Sequence, residues 1–371
     1  MKNALFFFAG SKGIGLTSHF TDISVDLFHK GQQEGFDVHI VSDRKEQNPG
    51  SWEKIETSIP DKYIIKYDEL QPHELEKKLQ EKLLGYHHVI FHLQGRTQIL
   101  QTRRLIENND IKTVVSMHSF AHGSPWKRPI ISFLYSFIIN KYIDKAIFLT
   151  PFAMNCFTGI KKLKRAGKIV HIPFNIPPLD IQYNIIDDGI LEKEYFNIVY
   201  LAQFHTHKGH EKYLPAIFRF VKEHPEARVY FFGEGIRRNA VIEQIKNNQA
   251  ERQIFCPGRI PRNIVPSILK KTSAALVLSG NETFGHCILE PMMMGVPTVS
   301  TRVGCGEYLI QDYVNGIGIN SPKDLYNALS LLKNTPELGK LLAANGKQMV
   351  ETFYRYENML NAYFQLYKSL L

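Results

Sequence analysis

NIPPLDIQYNIIDDGILEKEYF, residues Asn175 to Phe196, interrupts a pattern that otherwise runs the length of this chain. Ahead of it, short apolar runs bounded by Gly, Pro or polar clusters alternate with longer segments of helical period. Behind it the same alternation starts again, which is the sequence form of repeated βαβ units and parallel sheets. Ala4–Ala9, Asp37–Ser42, His88–His92, Thr113–His118 and Lys145–Thr150 read as strands of a first sheet, with helices near Thr17–Gln33, His73–Leu84, Thr97–Asn108 and Ile130–Lys141. Asn197–Ala202, Arg228–Gly233, Gln253–Cys256, Ala274–Ser279 and Thr298–Ser300 read as strands of a second. The paired prolines Pro177-Pro178 and the acidic residues that follow make the interruption a linker. The expectation is an α/β protein of two tandem Rossmann-like, doubly wound domains. Residues 1–175 form the first, 176–196 the linker, 197–350 the second, and 351–371 a terminal aromatic-rich helix that packs back on the first.

The 371 residues suit two such cores, and 44% hydrophobic with 22% charged residues excludes collagen-like, coiled-coil and disordered classes. The formal charge of +9 favours anionic company. It is unevenly spread: residues 1–185 hold 24 Lys+Arg against 18 Asp+Glu, net +6, and the remainder 21 against 18, net +3. Cys156, Cys256, Cys287 and Cys305 lie far apart, with no C-x-x-C pair, and read as free thiols of a reducing cytosol. The apolar run Ala4–Ala9 is shorter than a signal-peptide core, and Pro129–Ile139 is too short to span a bilayer.

In open α/β sheets, ligands sit beyond the carboxyl ends of the strands, so the segments that follow each strand matter most. AGSKGIG, Ala9 to Gly15, brings Gly13 and Gly15 to a β-to-α turn that suits either close anion approach or simply a tight connection. LAQFHTHKGHE, Leu201 to Glu211, offers Lys208 ahead of a helix, either for a phosphate or to solvent. SGNETFGHCILEPMMMGVP, Ser279 to Pro297, is the most specific. Glu282 follows a strand, Phe284-Gly285 turn the chain, and Glu290 comes eight positions later on a helix. Two carboxylates near a helix terminus accept hydrogen bonds from hydroxyls, which suits polyol recognition.

Taken together, these segments make the second half similar to the donor domain of the retaining glycosyltransferases of family four, the glycosyl transferases group 1, which have the GT-B fold of two Rossmann-like domains facing a cleft. The matching features are the E-x7-E pair Glu282 and Glu290, the turn Gly295-Val296-Pro297, the loop Gly304-Cys305-Gly306-Glu307, the segment Asn315-Gly316, and Lys208-Gly209. The resemblance implies roles. Lys208 stabilises a leaving diphosphate, Glu282 holds sugar hydroxyls beside the amides of Phe284 and Gly285, and Glu290 binds a ribose. Gly13 and Gly15 approach donor phosphate or acceptor. His118, with His122 as its neighbour and competitor, contacts the transferred sugar. Pro257 to Ile260, with Arg259, lies by the nucleotide base, and Arg96 faces either acceptor or solvent.

Two departures from the family pattern stand out. Gln203 occupies the place of an arginine, so a neutral amide replaces a cation on the diphosphate, for which His205, His207 or Arg259 compensates or donor binding weakens. Pro291 directly follows Glu290, which predicts a helix that starts late. The expected activity is transfer of a hexose-type sugar from a UDP- or GDP-sugar to a glycan or lipid-linked acceptor in surface polysaccharide or glycolipid synthesis, with retention and with no essential metal or other cofactor. A sugar-nucleotide epimerase-like enzyme and a catalytically weak nucleotide-sugar-binding subunit are the alternatives. Nucleic acid is not an expected partner. The basic run GIKKLKRAGK, Gly159 to Lys168, with the apolar stretch Phe133–Ile139, reads either as peripheral contact with anionic membrane on the cytoplasmic face or as a solvated helix surface.

Overall fold

The computed structural model describes residues 2–10, 18–45, 50–68, 71–117, 128–173, 175, 189–282 and 285–371. His118, His122, Gly13, Gly15 and Phe284 therefore lie outside the described residues, as does most of the interruption at 176–188. The chain divides into two compact units, Met1–Pro177 with Glu357–Leu371, and Pro178–Tyr356.

The first unit holds seven strands: β1 (Asn3–Phe8), β2 (Phe36–Asp43), β3 (Ile64–Tyr67), β4 (His88–Leu93), β5 (Ile111–Met117), β6 (Lys145–Phe148) and β7 (Ile169–His171). All pair in parallel, in the order β3-β2-β1-β4-β5-β6-β7. A sheet covered on both faces needs apolar side chains on both, which is why β1 reads NALFFF without alternation. Phe6 and Phe8 enter one core with Phe91 and Val115, while Phe7 meets His92 edge-on. The last helix, Tyr356–Lys368, belongs to this unit. Its Tyr363, Phe364 and Tyr367 are buried, packing on His92 and Phe36, and the Tyr367 hydroxyl bonds His92 Nδ1. Each such ring withdrawn from water contributes about 2 kcal/mol or more.

The second unit holds β8 (Phe196–Leu201), β9 (Ala227–Phe232), β10 (Ile254–Gly258), β11 (Ala274–Val277), β12 (Thr298–Thr301) and β13 (Ile317–Ile319), again all parallel, ordered β10-β9-β8-β11-β12-β13. One face is buried by the helices His210–Glu223, Pro322–Asn334 and Pro336–Phe353 through Leu214, Phe220, Leu329 and Leu342. The helix Pro322–Asn334 begins with a capping box, Ser321 accepting from the Asp324 amide while Asp324 accepts from the Ser321 amide. In each sheet the strand order reverses beside the unit's first strand, between β1 and β4 and between β8 and β11. Such a switch point leaves a crevice at the carboxyl ends, because the connections on its two sides leave for opposite faces.

The expectation of a late helix after Glu290 is wrong. The helix runs His286–Met293 with Pro291 inside it, and Pro291 forfeits one bond of the ladder. The surroundings hold it there: Gly285 caps the start at φ +80°, and Ile288 and Leu289 are buried. The far end closes as a Schellman turn in which Gly295, at φ +68°, and Val296 donate to the Met292 and Pro291 carbonyls.

Candidate active site

At the β8/β11 switch point two loops interlock. After β8, the chain passes exposed Gln203 and buried Phe204, makes a 3-10 turn over Thr206–Lys208, and enters the helix His210–Glu223 through Gly209. Gly209 adopts φ +73°, and a Cβ there would overlap the Leu278 carbonyl at the end of β11. Only glycine permits this approach. The Gly280 amide donates to His207 O at 2.6 Å, and the Tyr200 hydroxyl donates to Lys208 O at 2.9 Å.

This interlock brings Lys208 onto the residues that follow β11. Its Nζ lies 2.9 Å from Glu282 Oε2 and 3.2 Å from Ser279 Oγ, and Ser279 Oγ donates in turn to Glu282 Oε2 at 3.3 Å. Both charged side chains are largely withdrawn from water, 20% and 14% exposed. Burial by itself lowers the pKa of Lys208, but the adjacent carboxylate outweighs it and holds the ammonium above its usual range. For Glu282, burial pushes upward, and Lys208, with help from the Cys287 and Ser279 donors, more than reverses it. The pair is therefore ionised at neutral pH. An ammonium has three donors, and two are spent, so the third remains to meet an anion.

Glu282 is fixed from its backbone side as well. Its carbonyl accepts from the Cys305 amide at 2.9 Å, and Gly304, at φ +63°, presses so close to that carbonyl that a Cβ would overlap it. The glycine loop singled out by sequence thus clamps the backbone of the first carboxylate. Burial pushes both Cys287 and Cys305 thiols upward, so neither is a thiolate at neutral pH.

Glu290 sits at the fifth position of its helix. Its Oε1 accepts from Arg262 Nη1 at 3.0 Å, and burial raises its pKa, with the guanidinium only partly offsetting the shift. The sequence reading does not single out Arg262; it is the second arginine of CPGRIPR, residues 256–262, and nothing in the local spacing separates it from Arg259. Arg259 is exposed, and half-buried Ile260 packs against the apolar cluster of Tyr230, Phe232 and Ile268. Arg237 and Arg238, in the segment GEGIRRN (residues 233–239) that follows β9, are engaged within the unit, Arg237 with Glu211 at 2.6 Å and Arg238 with the Cys256 carbonyl at 2.6 Å. Ser279 and Tyr200 also escaped the sequence reading, because a hydroxyl on a buried strand end looks like any other core serine or tyrosine. In the first unit, Arg96 is exposed at the start of the helix Arg96–Asn108.

Residues 184–349 match the family model described as glycosyl transferases group 1. N-acetyl-alpha-D-glucosaminyl L-malate synthase of Bacillus anthracis is 27% identical over 215 residues, 53% of this chain and 55% of that protein. The match thus spans little more than half the length of that relative. O-antigen chain mannosyltransferase C of Escherichia coli is 24% identical over 288 residues, 71% of this chain and 70% of that one. The crystal structure of Anabaena HepE in complex with UDP superposes with a TM-score of 0.78 at 15% identity, covering 100% of both chains. The fold is GT-B.

Proposed function

Since residues 184–349 match the family model described as glycosyl transferases group 1, we propose that this protein transfers a hexose-type sugar from a UDP- or GDP-sugar to a glycan or lipid-linked acceptor, with retention at the anomeric carbon. The observation that supports it is the buried Lys208–Ser279–Glu282 cluster at the β8/β11 switch point, an ammonium with a donor to spare beside an ionised carboxylate. Lys208 meets the diphosphate as negative charge develops, while Glu282 accepts hydroxyls of the sugar and fixes its orientation. Glu290, backed by Arg262, takes the ribose hydroxyls. The acceptor oxygen bonds to the anomeric carbon from the face that the diphosphate leaves, the bond from that carbon to phosphate oxygen breaks, and the acceptor proton passes to the departing oxygen. On the family resemblance alone, His118 contacts the transferred sugar, and Gly13, Gly15, Phe284 and Gly285 lend backbone amides. The reaction as proposed uses no metal. HepE, crystallised with UDP, and the mannosyltransferase named for O-antigen chains are in keeping with such a donor and a polysaccharide setting.

The test is incubation with a panel of UDP- and GDP-sugars, followed by NMR of the anomeric proton. Nucleotide release with transfer to an added acceptor or slow hydrolysis, the configuration kept, is the expected result, and Glu290→Ala should raise the Kd for the nucleotide about tenfold, the loss of one charge-assisted contact. Interconversion of the sugar without nucleotide release points to the epimerase-like reading. Binding without turnover points to a sugar-nucleotide-binding subunit, the reading that exposed Gln203 favours because it leaves the diphosphate one cation short.

A further inference from the structure

The helix Arg128–Tyr142 of the first unit buries Tyr135 and Ile139 in the core and carries a second apolar face outward. Ser132 and Ser136 point inward and are 1% exposed each, while Ile130, Ile131, Phe133, Leu134 and Phe137 face water, Ile130 to 63%. The buried serines are accommodated by bonds of their own, Ser132 Oγ to Thr158 Oγ1 at 2.8 Å and Ser136 Oγ to Phe133 O at 2.6 Å. At 100° per residue the five apolar side chains fall within an arc of about 160°, a single face. Leaving that face in water forgoes its burial, and contiguous exposed apolar surface marks an interaction site.

Its neighbour supplies the charge. The helix Ile160–Arg165 lies so close that a Cβ on Gly159 would collide with Ser136, and Lys162 Nζ sits 3.9 Å from the centre of the Phe137 ring. Lys161, Lys162, Lys164 and Arg165 are all exposed. From residue 111 to 179 the sequence holds ten Lys and Arg and one acid, Asp144, so this segment's net charge equals the +9 of the whole chain. The Asp144 carboxylate is occupied by the Thr113 amide and hydroxyl, at 2.7 and 2.9 Å. No helix among the described residues is long and apolar enough to cross a membrane.

We propose that this face is a docking surface for anionic phospholipid: the apolar side of Arg128–Tyr142 enters the interface and the lysines of Ile160–Arg165 hold the headgroups. An apolar stripe edged by cations is complementary to acyl chain beneath an anionic headgroup layer, and the combination gives reversible binding that neither part supplies alone. None of these residues is among those assigned to the donor, so failure of this proposal leaves the transferase reading intact.

The full chain is sedimented with vesicles of phosphatidylcholine alone or mixed with phosphatidylglycerol, at low and high salt. Binding to the mixed vesicles that weakens with salt is expected. Ile130→Ser/Leu134→Ser should lower partition at least tenfold. Lys161→Gln/Lys164→Gln should lower it roughly 25-fold on anionic vesicles, about fivefold per charge, and little on neutral ones. Circular dichroism and nucleotide binding by each variant report that it is folded. The proposal is overturned if wild type fails to sediment, if both variants partition like wild type, or if light scattering shows a dimer that Ile130→Ser/Leu134→Ser dissociates, in which case a second copy covers the face.

Discussion

The Lys208–Glu282 pair makes a quantitative prediction. At 2.9 Å and an effective dielectric constant near 20, the gross attraction is about 6 kcal/mol, an upper bound that solvent screening of the partly exposed side chains and relaxation of the partner left behind reduce. A double-mutant cycle of Lys208→Met, Glu282→Gln and the combined variant should therefore return a coupling of about 2 kcal/mol, above the ~0.2–1 kcal/mol of exposed pairs. The single variant Lys208→Met should cost about 3 kcal/mol or more, because it leaves a carboxylate buried without its cation. The pH slopes must also reverse. In the wild type, Glu282 titrates below its unfolded value, so its contribution is present above about pH 4.5 and is lost as pH falls. In Lys208→Met, burial dominates and raises the carboxyl, so the folded state holds a proton longer than the unfolded chain and stability falls as pH rises past that value. Both tryptophans, Trp52 and Trp126, fall in the sequence of the first unit, so unfolding of the second is best followed by hydrogen exchange of peptides from β8 and β11 in urea. A coupling below ~0.5 kcal/mol, or slopes of the same sign in wild type and Lys208→Met, would refute the account.

Two further expectations follow from the same unit. His210 is buried against Phe204 at a ring separation of 4.3 Å, neither ring nitrogen has a hydrogen-bond partner, and burial followed by the Lys208 charge brings its pKa down to about 4. Its neutral form stabilises the fold above pH 6.5 and that stability is lost as pH falls toward 4, so urea titrations at pH 7 and 4.5 should show a wild-type loss roughly 2–3 kcal/mol greater than that of His210→Phe; parallel losses would contradict this. Gly209→Ala forces a left-handed φ and a clash with the Leu278 carbonyl, whereas Gly189→Ala meets only the first, having φ +58° and nothing within 4 Å. The control should cost about 1 kcal/mol and Gly209→Ala at least ~3 kcal/mol, and equal costs would show that the loop contact is not a tight one.

Much of the architecture was legible from residue order. The long central strands were found within a residue or two, because an all-parallel sheet writes itself as apolar runs between helical segments, and the interruption at Asn175–Phe196 separated the two series. The short strands β3, β7 and β13 were missed: IIKY, IVH and IGI are three or four residues long and offer no periodicity to detect. Pro291 misled because its intrinsic preference is local, whereas burial of Ile288 and Leu289 and the Schellman closure that hold its helix together are not.

What the sequence determined by itself was the set of chemical parts: a lysine after one strand, two glutamates eight apart after another, glycines where the backbone must turn. Which parts meet was decided by tertiary structure. Lys208 and Glu282 are 74 residues apart, and Arg262 and Glu290 28 apart, and nothing in their local spacing couples them. Lys208 and Glu282 come together because the strand order reverses between β8 and β11, which sets those two strand ends side by side, and because Gly209 and Gly304 let backbones approach where a Cβ would forbid it. The same holds for charge. Lysine and glutamate codons specify ions, but only their shared burial sets the direction in which each pKa moves.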